Sequence, residues 1–83
     1  MTSSKPKSDA RASAVHVDDD ELIVSLTDGR TVSTPLAWFP RLLHATPDER
    51  QNWEILGDGI GIHWPDVDED LSVAGLLRGM PGR

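Results

Sequence analysis

The chain has 83 residues, three Trp, one Phe and no Cys, and its formal net charge is −6 at pH 7. This length fits one domain with a small core, and the lack of cysteine excludes disulfides and zinc–thiolate sites. No apolar run approaches the roughly 20 residues of a membrane-spanning helix. The N-terminus also has no apolar signal-peptide core, so we expect a cytoplasmic protein that does not enter a membrane.

The charge is distributed unevenly along the chain. The first 12 residues carry three cations and one anion, a net charge of +2, whereas the remainder carries five Arg and thirteen Asp or Glu, a net charge of −8. Residues 1–13 are polar and predict a disordered basic tail. The acidic body repels nucleic-acid phosphates. We therefore expect a protein partner with a basic surface and no direct binding to nucleic acid.

Residues 14–34 alternate between apolar and polar side chains, which predicts a three-stranded antiparallel meander. A turn at residues 19–20 places the apolar residues of the first two strands on one face. The predicted pairs are Val17 with Leu22 and Val15 with Val24. At the second turn, a three-residue loop ending in a left-handed Gly29 sets Val32 opposite Val24, whereas a two-residue loop sets Val32 opposite Ser25. The apolar pattern favours the three-residue loop.

Residues 35–52 predict short helices. Pro40 disfavours a helical residue before it and suits the first position of a new helix, so we expect one turn over 36–39 and a helix over 40–45. Thr46, Pro47 and Glu49 then form an N-terminal signature, with Thr as cap, Pro first and Glu three residues after the cap. This signature predicts a helix from residue 47 to about residue 52.

Residues 53–64 predict a second hairpin with Asp58 and Gly59 as a two-residue turn. The predicted pairs are Ile55 with Ile62 and Trp53 with Trp64 on one face, and Glu54 with His63 on the other. The glycines at 57, 59 and 61 superficially resemble a phosphate-binding loop. A strand follows them, however, where a phosphate site needs a helix N-terminus, so we reject nucleotide binding.

A final helix is predicted over residues 72–78. Asp70 or Ser72 caps it, Arg78 lies in its last turn, and Gly79 ends it. The chain is thus predicted to be an α+β protein made of a meander, a second hairpin and short helices. We divide it into the tail (1–13), the domain (14–79) and a frayed C-terminus (80–83).

Neither acidic run has the pattern of a metal site. Residues 18–21 are adjacent acids on a turn, whose side chains diverge. Acids at 66, 68 and 70 begin like a calcium loop, but Leu71 and Leu77 occupy the positions where an EF-hand has Gly and Glu. The three histidines share no metal-ligand spacing. We expect no cofactor and no metal.

No nucleophile–base arrangement stands out, so we expect no enzymatic activity. Glu54 and His63 are one acid–base pair, which we interpret as a cross-strand ion pair. Aromatic side chains beside charge suit protein recognition; the alternative is core packing for the aromatics and solvation for the acids. The candidate partner-binding residues are Trp38, His63, Trp64, Asp66, Asp68, Glu69 and Asp70.

Six segments together resemble the small bacterial family catalogued as domain of unknown function 2442. They are residues 28–33, 38–42, 47–53, 61–65, 68–73 and 75–77. The longest stretch, GIHWPDVDEDLSVAGLL at 61–77, is specific to this family, and the similarity covers roughly residues 14–79. One departure is Ala74, where relatives often have Glu.

The resemblance implies a small α+β fold without an established catalytic activity. It also implies a gene beside another small gene, in an arrangement like that of toxin–antitoxin pairs. Some relatives carry a C-terminal helix-turn-helix, and we expect none here because the chain ends at Arg83. The leading hypothesis is a non-enzymatic protein-interaction module, the antitoxin-like half of such a pair.

The alternative hypothesis is a nucleic-acid-linked transcriptional regulator that acts through a partner or as a homo-oligomer. It would use the basic tail, or a dimer that assembles a basic face from Arg30, Arg41 and Arg50. A small enzyme built around His63 and its neighbouring acids is the third and weakest hypothesis.

Overall fold

The computed structural model describes residues 10–79, which form two three-stranded antiparallel sheets and short helices. The strands are β1 (Ala12–Val17), β2 (Glu21–Leu26), β3 (Thr31–Pro35), β4 (Glu54–Leu56), β5 (Gly61–Trp64) and β6 (Glu69–Ser72). The helices are a 3₁₀ turn (Leu36–Trp38), α1 (Pro40–Leu43), α2 (Pro47–Gln51) and α3 (Val73–Arg78). The sheet orders are β1-β2-β3 and β4-β5-β6. The predicted α+β class is confirmed.

The first sheet has the predicted register. Val15 pairs with Val24, Val17 with Leu22, and Val24 with Val32. Gly29 takes a left-handed φ of 95° at the second turn, which a side chain would disfavour. The three-residue loop is thereby confirmed, and the apolar side chains of these pairs share the face that meets the core.

The domain begins earlier than predicted. Strand β1 starts at Ala12, and both Ala10 and Ala12 are buried, so residues 10–13 are not part of a disordered tail. The Ala12 amide donates to the Gly59 carbonyl at 2.8 Å. These alanines are small enough to sit at the seam between the two sheets. The predictions for residues 1–9 and 80–83 lie outside the described residues.

The helical segment follows its proline and capping signals. Pro40 is the first residue of α1. Thr46 caps α2 in a complete capping box: its side chain accepts from the Glu49 amide at 3.2 Å, and the Glu49 carboxylate accepts from the Thr46 amide at 2.8 Å. Such a cap satisfies two amides that the first helical turn leaves unpaired.

The second hairpin has the predicted register and a different turn. Glu54 pairs with His63, and Ile55 with Ile62. The ladder stops at residues 56 and 61, so the turn has four residues, with left-handed Gly57 and Gly59. The prediction of a two-residue turn at 58–59 was wrong. The left-handed glycines at 57 and 59 suit the wider, four-residue turn. Trp53 lies before β4 and does not pair with Trp64.

The second acidic run, residues 66–70, is in part a strand that was not predicted. Residues 69–72 form β6, which pairs with β5 and makes it the central strand of the second sheet. The turn between them contains Asp68 with a positive φ of 54°. The final helix is confirmed: the Ser72 hydroxyl accepts from the Gly75 amide, and Gly79 ends α3 in the left-handed conformation.

One apolar core joins both sheets and the helices. Its largest fully buried side chains are Trp64, Phe39, Leu22, Leu36, Leu42, Ile62 and Val24. Within residues 10–79, no helix is both long enough and apolar enough to span a membrane.

Candidate functional site

Strand β5 divides the candidate residues between two faces of the second sheet. Successive side chains of a strand point to opposite faces, so Ile62 and Trp64 point into the core while Gly61 and His63 point outward. Ile62 and Trp64 are fully buried, whereas the His63 side chain is 25% exposed. His63 and Trp64 therefore lie on opposite faces, as the predicted hairpin register requires, although both are candidate partner-binding residues.

The outward side of the sheet carries a row of three ionisable residues, one from each strand. His63 pairs with Glu54 on β4 and with Asp70 on β6. We call Glu54, His63 and Asp70 the acid–histidine row. The Glu54–His63 pair is confirmed, whereas the pairing of Asp70 with His63 on the other side was not predicted.

His63 and Asp70 are in direct contact, with a hydrogen bond between His63 Nδ1 and a carboxylate oxygen of Asp70. This bond raises the pKa of His63 above its usual value of 6.5, against the opposing effect of desolvation. The charges of Asp70, Glu54 and Asp68 act in the same direction. A protonated imidazole is stabilised because three carboxylates surround it.

A second row lies beside the first. Leu56, Gly61 and Ser72 are in register on the same outward side. The Leu56 side chain is 38% exposed, and its Cδ1 would lie 3.5 Å from a Cβ atom added at Gly61. We call these two rows together the outer face of the second sheet.

Two of the candidate residues are buried and cannot contact a partner. Trp64 is fully buried and its indole N–H donates to the Arg50 carbonyl at 3.0 Å. Glu69 is also buried, and its carboxylate lies 3.8 Å from Arg41 Nη1. Of the two interpretations given for Trp64, core packing is therefore the one that the structure bears out.

Asp66 and Asp68 lie in the turn between β5 and β6 and are exposed. The Asn52 side-chain amide donates to the Asp66 carboxylate at 3.0 Å, and Arg41 donates to the Asp68 carbonyl. Contacts from the helical segment thus hold this turn at one end of the second sheet.

Trp38 belongs to a different part of the molecule. It is 37% exposed and lies beside the end of α3, where a Cβ atom added at Gly79 would be 4.0 Å from its ring. The structure therefore brings His63 and Asp70 together, places Asp66 and Asp68 in the adjoining turn, and leaves Trp38 off the outer face.

The acidic turn between β1 and β2 stabilises local structure. A carboxylate oxygen of Asp18 accepts from the amides of Asp20 and Glu21 at 2.8 and 2.7 Å. Both bonds lower the pKa of Asp18, and the bond from the Glu21 amide has the larger effect. Within the described part of the chain, no group of three or more His, Asp or Glu side chains is arranged to hold a metal ion.

Arg50 is a buried structural residue that the sequence analysis misassigned to a surface. Only 8% of the residue is exposed, and its guanidinium donates to the carbonyls of Leu42 and Leu43 and to the Asp19 carboxylate. Arg50 is therefore unavailable for the basic face proposed for a dimer. The sequence of α2, PDERQ, could have indicated this burial. It offers no aliphatic side chain for the inward position, so the long side chain of Arg50 takes it.

Comparisons with other proteins agree with this architecture. A crystal structure of a protein of unknown function from Rhodospirillum rubrum is 37% identical, with a TM-score of 0.77 over 89% of this chain and 92% of the other. A solution NMR structure of an uncharacterized protein from Chromobacterium violaceum is 24% identical, with a TM-score of 0.74 over 88% of this chain and 69% of the other. A search of curated proteins gave no match.

The comparison with protein families assigns the chain to one of them. The family described as "Protein of unknown function (DUF2442)" matches residues 12–82. This match includes both sheets and all the helices of the described structure. The chain therefore belongs to the DUF2442 family.

Proposed function

We propose that this chain is a cytoplasmic, non-enzymatic protein-interaction module that binds a partner with a basic surface. In this proposal it is the antitoxin-like half of a two-gene pair, and the partner is the product of the adjacent gene. The observation that carries the proposal is the excess of carboxylates in the domain. Most of its arginines already form ion pairs with carboxylates of the same domain.

Residues 10–79 contain thirteen Asp or Glu and five Arg. Four of the five arginines lie next to a carboxylate. These pairs are Arg11 with Asp58 at 3.6 Å, Arg30 with Asp28 at 2.8 Å, Arg41 with Glu69 at 3.8 Å, and Arg50 with Asp19 at 2.8 Å. The remaining carboxylates make a surface that attracts cations and repels phosphate.

A pull-down with this domain as bait, analysed by mass spectrometry, tests the proposal. We expect one protein in stoichiometric amount, and we expect its binding to weaken as the salt concentration rises. Recovery of nucleic acid, or of no stoichiometric protein, would contradict the proposal. A gel-shift assay at physiological salt addresses the alternative of a nucleic-acid-linked regulator, and a shift with the domain alone would support the form of that alternative that acts as a homo-oligomer.

A further inference from the structure

We infer that the outer face of the second sheet is the surface that holds the partner. Its occupant is a protein segment that presents an arginine or lysine side chain beside an aliphatic one. This inference rests on the proposed function and adds to it the docking site and the chemistry of the bound segment.

The outer face is open to solvent in the described part of the chain. Glu54, Leu56 and Ser72 are exposed, and the Asp70 side chain is 68% exposed. The other face of the same strands is covered, because Ile62 and Trp64 are fully buried against the core. A sheet with one packed face and one open face offers the open one for contact.

The charges of the face fit a cationic side chain. Glu54 and Asp70 are separated by one strand, so their Cα atoms are about 10 Å apart, with His63 between them. Asp68, in the turn, adds a third carboxylate close enough to act on His63. The row is anionic whether His63 is neutral or protonated, and a cation above it interacts with carboxylates on both sides.

The second row provides an apolar contact beside the charges. Leu56 lies two residues along the strand from Glu54, about 7 Å away. Next to it, Gly61 has no side chain, and a Cβ atom there would come within 3.0 Å of the Leu71 carbonyl. Gly61 is buried, and Leu56 Cδ1 would lie 3.5 Å from its added Cβ, so the Leu56 side chain lies over Gly61. The exposed part of Leu56 is therefore the apolar surface against which an aliphatic side chain of the segment can pack. Alternate residues of an extended segment match the 7 Å separation.

The probe for this site is a five-residue peptide with arginine at both ends, leucine in the middle and threonine between them, capped at both termini. Titration into the ¹⁵N-labelled domain should produce saturable amide shifts at residues 54, 56, 63 and 70. Glu54→Gln should weaken the affinity about twofold to fivefold, the range expected for one exposed ion pair. Leu56→Ser should weaken it by a similar factor, because it removes the apolar contact. Asp20→Asn is the matched control, because it removes one exposed charge from the turn between β1 and β2, and it should leave the affinity unchanged.

Two results would overturn the inference. One is a set of shifts centred on the acidic turn at residues 18–21, and the other is equal affinity for the wild type and for Glu54→Gln. A peptide with serine in place of leucine should bind more weakly, and equal binding of the two peptides would refute the apolar part of the inference. The amide spectrum of each variant serves as the control for folding, because a folded variant keeps the dispersed peaks of the wild type.

Failure of this inference differs from failure of the proposed function. If a stoichiometric partner is captured and Glu54→Gln binds it as tightly as the wild type does, the docking site is wrong and the function stands. If the peptide binds at the outer face but no stoichiometric protein is captured, the function is wrong, although the face binds cations.

Discussion

The two faces of the second sheet differ in burial, polarity and charge, although the same three strands form both. The inner face contributes Ile62 and Trp64 to the core, while the outer face exposes the acid–histidine row and Leu56. His63 and Trp64 are neighbours in the chain with opposite environments. Residues that stabilise the core and residues that are available for binding can therefore be neighbours in one strand, because successive side chains point to opposite faces.

The largest expected effect concerns the inner face at Trp64. Trp64→Ala should lower the free energy of unfolding by about 3–5 kcal/mol, because it removes a fully buried aromatic side chain. Urea unfolding followed by circular dichroism measures the loss. Trp64→Phe is the matched control: it keeps most of the apolar volume, loses the hydrogen bond to the Arg50 carbonyl, and should cost about 1–2 kcal/mol. A loss below 1 kcal/mol for Trp64→Ala would contradict the contrast between the faces.

The next effect concerns Arg50, whose carbonyl accepts the Trp64 indole N–H and whose side chain binds two carbonyls of the helical segment. Arg50→Met should cost about 2–3 kcal/mol, because charge-assisted hydrogen bonds are lost in a buried site. Arg30→Met, which breaks an exposed pair with Asp28, should cost less than about 1 kcal/mol. Equal unfolding midpoints for the two variants would show that Arg50 does not support the inner face.

A pair of glycine variants tests the seam between the sheets. Gly59 and Gly29 both have left-handed φ angles, of 104° and 95°. A Cβ atom at Gly59 would lie 2.7 Å from the Ala12 carbonyl oxygen, whereas nothing lies within 4 Å at Gly29. Both alanine variants incur backbone strain of about 1–2 kcal/mol, and Gly59→Ala should cost about 1 kcal/mol more. Thermal unfolding of the two proteins compares them, and equal losses would show that the seam adapts freely.

The smallest expected effect concerns the outer face and depends on pH. Because Asp70 raises the pKa of His63 in the folded state, protonated His63 stabilises the fold. This contribution is present in full below the unfolded-state pKa of about 6.5 and is lost as the pH rises through the folded-state pKa.

Urea unfolding between pH 5 and pH 9 should therefore show a small decline in stability that Asp70→Asn reduces. An NMR titration of the wild-type His63 ring should give a pKa above 6.5, and the variant should titrate at a lower pH. A wild-type pKa at or below 6.5 would show that the pair does not form in solution.

Sequence reasoning predicted the first sheet well and the second sheet only in part. In β1 and β2, every inward position is apolar, so the alternation reveals both the strands and their register. In β6 the inward positions are Glu69 and Leu71, and the buried Glu69 interrupts the apolar pattern. No strand was therefore predicted at residues 69–72. The contact of Asp70 with His63 was missed for the same reason.

The sequence by itself determined the features that depend on neighbouring residues. These are the registers of the two predicted hairpins, the capping box at Thr46, and the beginning and end of α3. Local patterns suffice there because the interacting groups are close in the chain.

Only the tertiary structure decided which charged residues are buried and which face of the second sheet is open. Arg50 is inward because it binds the carbonyls of Leu42 and Leu43 in α1, and Glu69 is inward because β6 pairs with β5 near Arg41. These environments arise from segments 7 to 28 residues apart. A charged side chain is buried only where distant groups compensate its loss of hydration, and no local pattern specifies such groups.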